Sequence, residues 1–250
     1  MNNSLKLLLV LFSLLIACST QSNNGNDDRE RPDTDYVAYK ASSITIDGIA
    51  DDKAWEDAEW NDIDHRWLGE PYSEDDFSGR FKISWDDDFL YVMAEITDDV
   101  LFERYEGTDQ YWNDDIIEIF LDEDLSGGDH QFNYNAFAYH IDTNYDVFDI
   151  GKDRNAHYFN DHVEVKYDAL GTTYTWEVAI KVYDDTFARD QENTPVQFAV
   201  GKKMGFAFAY CDNDNSEIRE NFIGSEEIEG DDKNRGYIDA GIFGSLQLVE

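Results

Sequence analysis

Apolar and polar residues alternate with a period of two along most of this chain, and the clearest case is "GRFKISWDDDFLYVMAEITDD". Phe81, Ile83 and Trp85 mark one arm, and Leu90, Val92, Ala94 and Ile96 mark the other. Asp86, Asp87 and Asp88 stand between them, so the pattern predicts a β-hairpin. A second hairpin is predicted around Gly171, joining "DHVEVKYD" to "YTWEVAIKVY". In its second arm Tyr174, Trp176, Val178, Ile180 and Val182 share one face, and Thr175, Glu177 and Lys181 share the other. "ITIDG" (44–48), "IIEIFL" (116–121), "FNYNAFAYHID" and the closing "GSLQLVE" read as further strands. "DDKAWEDA" (51–58) alone reads as a turn or two of helix. "MGFAFAYC" alternates large with small: Met204, Phe206, Phe208 and Tyr210 against Gly205, Ala207, Ala209 and Cys211. The small face leaves room above the sheet, by default for a packed neighbour and otherwise for a ligand. Many short strands separated by turn signals, with no long amphipathic helix, predict an all-β chain folded as a single jelly-roll-like antiparallel β-sandwich.

The N-terminus breaks the pattern. Lys6 precedes "LLLVLFSLLIA", a run too short to span a bilayer comfortably, with the charged, apolar, small-residue order of a secretory signal. It ends in "LIAC", similar to a bacterial lipobox in which cleavage leaves Cys18 lipid-modified. Residues 1–17 are therefore expected to be a signal peptide, and 18–35 a lipidated cysteine and flexible tether. Residues 36–250 are expected to be the folded domain. This places the protein at the bacterial cell envelope, at the outer membrane, with a lipid anchor as its membrane contact. Only Cys211 remains in the folded part, so the domain closes without an internal disulfide.

With 56 acidic against 19 basic residues the formal charge is −37. That argues against nucleic acid as a partner, because phosphate binding needs basic patches. It suits neutral ligands and divalent cations.

Five pieces now stand in order: "ITIDGIADDKAW", "ISWDDDFLYVMAEITDD", "WNDDIIEIFLD", "WEVAIKV" and "FGSLQL". In this order they resemble the family 9 carbohydrate-binding modules and their wider group. The resemblance implies a β-sandwich, often with structural calcium, that binds sugar without catalysis between two aromatic platforms. Carried over by position, it puts the first platform on Trp112 and a hydroxyl-binding acid on Glu118. A pyranose offers a C–H face to an aromatic ring and a rim of hydroxyls to strong acceptors. The second platform falls on Tyr237, with Asn234 as a polar partner. An amide of the family falls on Ala209, and its arginine on the strand after the Gly-rich loop has no counterpart. Asn135, Tyr139 and His140 are the nearest polar candidates there. Poly- or oligosaccharide is the partner so implied, with a glycoside hydrolase as a possible companion.

Other readings stay open. Trp112 as a core residue competes with Trp112 as a platform, although Asn113, Asp114 and Asp115 beside it favour an exposed rim. Glu118 as a satisfied buried acid competes with Glu118 as a sugar ligand. Trp55, Trp60, Trp67, Trp85 and Trp176 are assigned to packing. For calcium, "DEDLSGGD" with Asp122, "CDNDNSE" with Asp212 and Asp214, and the pair Asp98–Asp99 offer clustered oxygens. A two-carboxylate hydrolase has no specific motif here. A haem domain would draw on His130, His140, His157, His162, Met93 and Met204, yet no C-x-x-C-H is present. A surface adhesion or assembly module without a sugar ligand is the remaining alternative.

Overall fold

A computed structural model describes residues 31–250. The signal segment, Cys18 and most of the tether lie outside the described residues. In chain order come β1 (Tyr36–Lys40), the short helix α1 (Ala54–Asp57), β2 (Asn61–Ile63), β3 (His65–Leu68), β4 (Phe77–Trp85) and β5 (Leu90–Asp98). Then follow β6 (Ile116–Asp122), β7 (Phe137–Ile141), β8 (Val147–Ile150), β9 (Ala156–Tyr158), β10 (Val163–Leu170) and β11 (Thr173–Ile180). The last strands are β12 (Lys203–Asp212), β13 (Asn221–Gly224) and β14 (Gly244–Val249). Both predicted hairpins form, with Trp85 paired to Leu90 and Leu170 paired to Thr173.

Hydrogen bonds run through β10-β11-β5-β4-β1-β14-β12-β6-β7-β8-β9, with β13 pairing β12, β3 pairing β13 and β2 pairing β4. Most pairings are antiparallel; β1 pairs in parallel with both β4 and β14. Strands β4 and β12 are three steps apart along this path, about 14 Å in a flat sheet. Yet Phe77 stacks on Tyr210 and Phe81 on Phe208, both with centroids 5.3 Å apart. The sheet therefore folds back about β1 into two layers, with these rings between them. The filling is the set the alternation predicts: Phe81, Ile83, Trp85, Val92, Trp176 and Val178 from one layer, Ile117, Ile119, Phe206, Phe208 and Leu246 from the other.

The outer face of the second layer is also covered. Gly224, Ala209, Glu118, His140 and Phe148 fall in one register row across β13, β12, β6, β7 and β8. Trp67 sits on the small end of this row, 4.9 Å from the Phe222 ring and 6.1 Å from Phe120. A Cβ on Gly224 would lie 2.1 Å from Trp67 Cζ2, so glycine is required there. The packed-neighbour reading of the small face holds at this end; the larger end is open, and the candidate site lies there.

Two expectations change. "ITIDG" is not a strand, because its amides go elsewhere. Asp47 and Gly48 N–H donate to Glu177 Oε2 at 3.1 and 2.9 Å, and Trp55 Nε1 donates to Oε1 at 2.8 Å. Glu177, read from the pattern as a solvent-side residue, is fully buried beneath this flap, beside Tyr91 and Met93. Gly48 adopts φ +85° with β10 backbone 2.6 Å from where its Cβ would be, so the flap can close only on glycine. Glu177→Ala leaves three donors unpaired; urea unfolding is expected to show a loss of about 3 kcal/mol. Second, Trp60 is not packed inside. It is 37% exposed, with Arg80 3.8 Å and Lys82 4.6 Å from its ring.

Candidate functional site

At the open end of the row lies a cavity of about 290 Å³, lined among others by Tyr111, Trp112, Glu118, His140, Arg219, Asn234 and Tyr237. Five sequence-predicted residues, Trp112, Glu118, His140, Asn234 and Tyr237, thus meet at one place.

Trp112 sits in the 3-10 turn Tyr111–Asn113, entered through Gln110 in the left-handed region at φ 53°. Its ring is 39% exposed. The polar residues after it are not a solvent rim, as their chemistry led one to expect; Asn113, Asp114 and Asp115 are buried. They anchor the turn. Asp114 accepts from Tyr105 N–H at 2.8 Å, and Asp115 accepts from Asn213 N–H at 2.6 Å and from Phe102 N–H. Asn113 accepts from Arg219 N–H at 3.2 Å. Tyr111 adds apolar support, stacked on Phe148 at 4.8 Å and edge-on to Trp112 at 5.2 Å. A buried polar network of this kind fixes a ring that the core does not hold.

Glu118 forms the floor. Its Oε1 takes Cys211 Sγ at 3.1 Å, His140 Nε2 at 3.2 Å and Arg219 Nη1 at 3.4 Å. Burial opposes its ionisation, but His140 and Arg219 outweigh burial and hold the carboxyl below its ordinary range. His140 is the mirror case: burial disfavours its charge, Glu118 outweighs that, and its pKa is raised. Its Nδ1 lies 2.8 Å from the Ala138 carbonyl, which can only accept, so Nδ1 carries a proton. Behind it, burial pushes Asp149 up to about 7, with His140 pulling the other way. Glu118 Oε2 has no partner among the described residues and is not among the sealed atoms that lack one. It is therefore free to accept from whatever enters the cavity.

Arg219 is the residue the sequence pattern did not single out. It reaches in from the 213–220 loop and lies 4.0 Å over the Phe222 ring. Its Nη2 donates to Asn234 Oδ1 at 2.8 Å, which ties the Asn234 segment to Glu118. Nothing in "NSEIREN" marks Arg219 locally.

Tyr139 does not join the site. Adjacent strand residues point to opposite faces, so with His140 on the outer face Tyr139 enters the core between the layers. There its hydroxyl lies 2.8 Å from His162 Nδ1. The other histidines find local partners: His130 Nε2 is 2.8 Å from the Gly236 carbonyl and His157 Nε2 is 2.7 Å from Asp153.

Oxygen clusters occur beside the strand ends. Asp98, Asp115 and Asp212 are buried with carboxylate oxygens within 4.8 Å of one another, and Asp76, Asp99 and Asp214 form a second such trio. Asp98 and Asp212, taken from two separate sequence clusters, lie in one trio, Asp99 joins the neighbouring trio, and Asp115 and Asp76 are additions. Burial, then Asp98, pushes Asp115 up to about 10 and Asp212 to about 7. Asp214 Oδ1 and Asn221 Oδ1 are sealed without a partner. An all-oxygen, uncompensated donor set of this kind fits calcium. Asp122 belongs to neither trio; it accepts from Gly127 N–H at 2.6 Å and shapes the Gly-rich loop instead.

Residues 46–250 match the family model described as carbohydrate family 9 binding domain-like. Among solved structures, the fold is similar to a family 9 carbohydrate binding module from Caldicellulosiruptor kristjanssonii in complex with cellotriose. The TM-score is 0.63 at 23% identity, covering 85% of this chain and 93% of that one. The complex of such a module from the same organism with glucose gives 0.62 at 24%, covering 85% and 94%. A carbohydrate-binding protein from Bacteroides uniformis, so described on a provisional basis, gives 0.55 at 14%, covering 85% and 97%. No curated protein sequence matches the chain.

Proposed function

From the premise that this chain belongs to the carbohydrate family 9 binding domain-like family, we propose that it captures oligosaccharide ends in the outer-face cavity without chemical conversion. One observation carries the reading: an exposed indole, Trp112, shares a cavity with a buried carboxylate that keeps one oxygen free. Trp112 and Tyr237 offer the stacking faces. Glu118 Oε2 accepts from sugar hydroxyls, while the Asn234 amide and Arg219 donate to them. The complexes of the related modules with cellotriose and glucose support a glucan as the first ligand to try. The charge network also supports binding rather than hydrolysis. Glu118 is held ionised by the His140 imidazole and the Arg219 guanidinium, so it is a poor general acid.

In this reading Cys18 carries the lipid and the tether presents the domain at the cell envelope. A glycoside hydrolase would act on the captured chain as a separate partner. Calcium in the Asp98–Asp115–Asp212 trio would hold the loops that carry Trp112 and Arg219, since Asp115 lies just after Trp112 and Asp212 shortly before Arg219 in sequence.

Calorimetric titration with cellotriose and glucose, and with a wider oligosaccharide panel, tests the reading. Trp112→Ala is expected to weaken binding by about 30-fold or more, the loss of about 2 kcal/mol common for a tryptophan anchor. Its melting temperature should stay close to wild type, because the ring is exposed. Binding that is unchanged in this variant would return Trp112 to a packing role, and no binding across the panel would favour an adhesion or assembly module.

A further inference from the structure

A second cavity, of about 310 Å³, opens where the 183–193 loop crosses the end of β9, and it shares no lining residue with the first. This volume lies at the lower end of the range for small-molecule sites. Its innermost polar residue is His162, only 2% exposed. The imidazole packs 4.2 Å from the Tyr183 ring and 4.9 Å from Phe187, with Nδ1 2.8 Å from the Tyr139 hydroxyl. That hydroxyl is buried and has no other partner among the described residues. Were Nδ1 the donor, the phenolic proton would be left unpaired in the core. Tyr139 is therefore the donor, and Nε2 carries the ring proton. Burial lowers the His162 pKa to about 4, so the ring is neutral under ordinary conditions. Among the described residues Nε2 has no partner, and it is not sealed off, so it presents an N–H to the cavity.

Two charged groups line the same cavity without pairing. Arg189 and the Asp161 carboxylate each lack a hydrogen bond or ion pair among the described residues. A simple anion would meet Arg189 but be repelled by Asp161. A neutral sugar would satisfy Asp161 but leave the bidentate fork of Arg189 without its best acceptor. A sugar acid satisfies both.

We propose that this cavity binds a uronic acid, with the carboxylate on Arg189, hydroxyls donating to Asp161, and an acceptor oxygen on His162 Nε2–H. The site stands independently of the outer-face cavity, and its test is made in the Trp112→Ala background to keep the two apart. Histidine-ring nitrogen–proton NMR of the full-length protein is followed during titration with D-glucuronate, acetate or D-glucose. Glucuronate is expected to shift the His162 Nε2 signal saturably, and the other two to bind at least tenfold more weakly. Arg189→Ala, a change at an exposed residue, should weaken glucuronate at least tenfold without moving the melting temperature. Asp161→Asn should narrow the gap between acetate and glucuronate. A His162 signal unmoved by glucuronate, equal binding of acetate or glucose, or an unchanged affinity in Arg189→Ala would each overturn the proposal.

Discussion

Glu118→Ala is expected to cost about 3–5 kcal/mol of stability near pH 6, the loss typical when one partner of a buried ion pair is removed. The carboxylate is 1% exposed and sits between His140 and Arg219. Without it, Arg219 keeps Asn234 Oδ1 and the Cys211 sulfur as acceptors and His140 keeps the Ala138 carbonyl, but the buried guanidinium loses its counter-charge. The pH profile gives the loss a signature. Glu118 has a lowered pKa, so its contribution is present above the ordinary carboxyl value of about 4.3 and is lost as pH falls through the folded value. His140 has a raised pKa, so its contribution is full below about 6.5 and is lost as pH rises through the folded value. The difference between wild type and mutant should therefore be largest between these limits and shrink on either side. Asp149, ionising near 7 behind the imidazole, softens the alkaline side. In the mutant burial, the largest influence on His140, is opposed only by Asp149 and the Ala138 carbonyl, so acidification below about 6.5 should destabilise it further. Urea denaturation at pH 5, 6 and 8 measures this. A loss of equal size at all three values would mean that Glu118 acts through packing alone.

The same residues show what the sequence could reveal and where it stopped. The strands of β4, β5, β6, β11 and β12 were legible because each buries one face in the inter-layer core, which writes a period of two into the chain. Strands β2, β3, β8, β9 and β13 span only three or four residues and are too short to carry a period. "ITIDG" carries the right alternation but spends its amides on Glu177, a partner 129 residues or more away. No local pattern can report such a bond. The same holds for Arg219, whose partners Glu118 and Asn234 are brought to it only by the fold. His140 and Tyr139 are both polar candidates by sequence, and as neighbours on one strand they face opposite ways, so one residue is the whole difference between site and core. Asp115 was hidden differently: among 56 acidic residues, the one that completes a buried trio looks like any other.

That trio supports the other large effect, a stability that depends on calcium. At pH 7.5, calcium at a hundredfold excess over its dissociation constant should add about 2.7 kcal/mol relative to excess chelator. For a domain of this size that is about 5–10 °C in melting temperature. The physical reason is burial first and the repulsion of neighbouring carboxylates second, which together raise Asp115 to about 10 and Asp212 to about 7. A raised carboxyl pKa means that the ionised form is disfavoured by the fold. For Asp212, then, stability present below the ordinary value of about 3.9 is lost as pH rises through about 7. A divalent cation reverses this by pairing with the charges that repel. Asp212→Asn separates the two effects, because the side chain risks only one long hydrogen bond, 3.5 Å from Asn221 Nδ2. In chelator the variant should melt above wild type, since one of the repelling charges is gone. In calcium it should melt below wild type, since a ligand is gone. Differential scanning fluorimetry of both proteins in both buffers is sufficient. A variant less stable in both would make Asp212 a simple structural residue, and a wild type indifferent to chelator would leave the trio as three carboxyls that share their protons rather than a metal site.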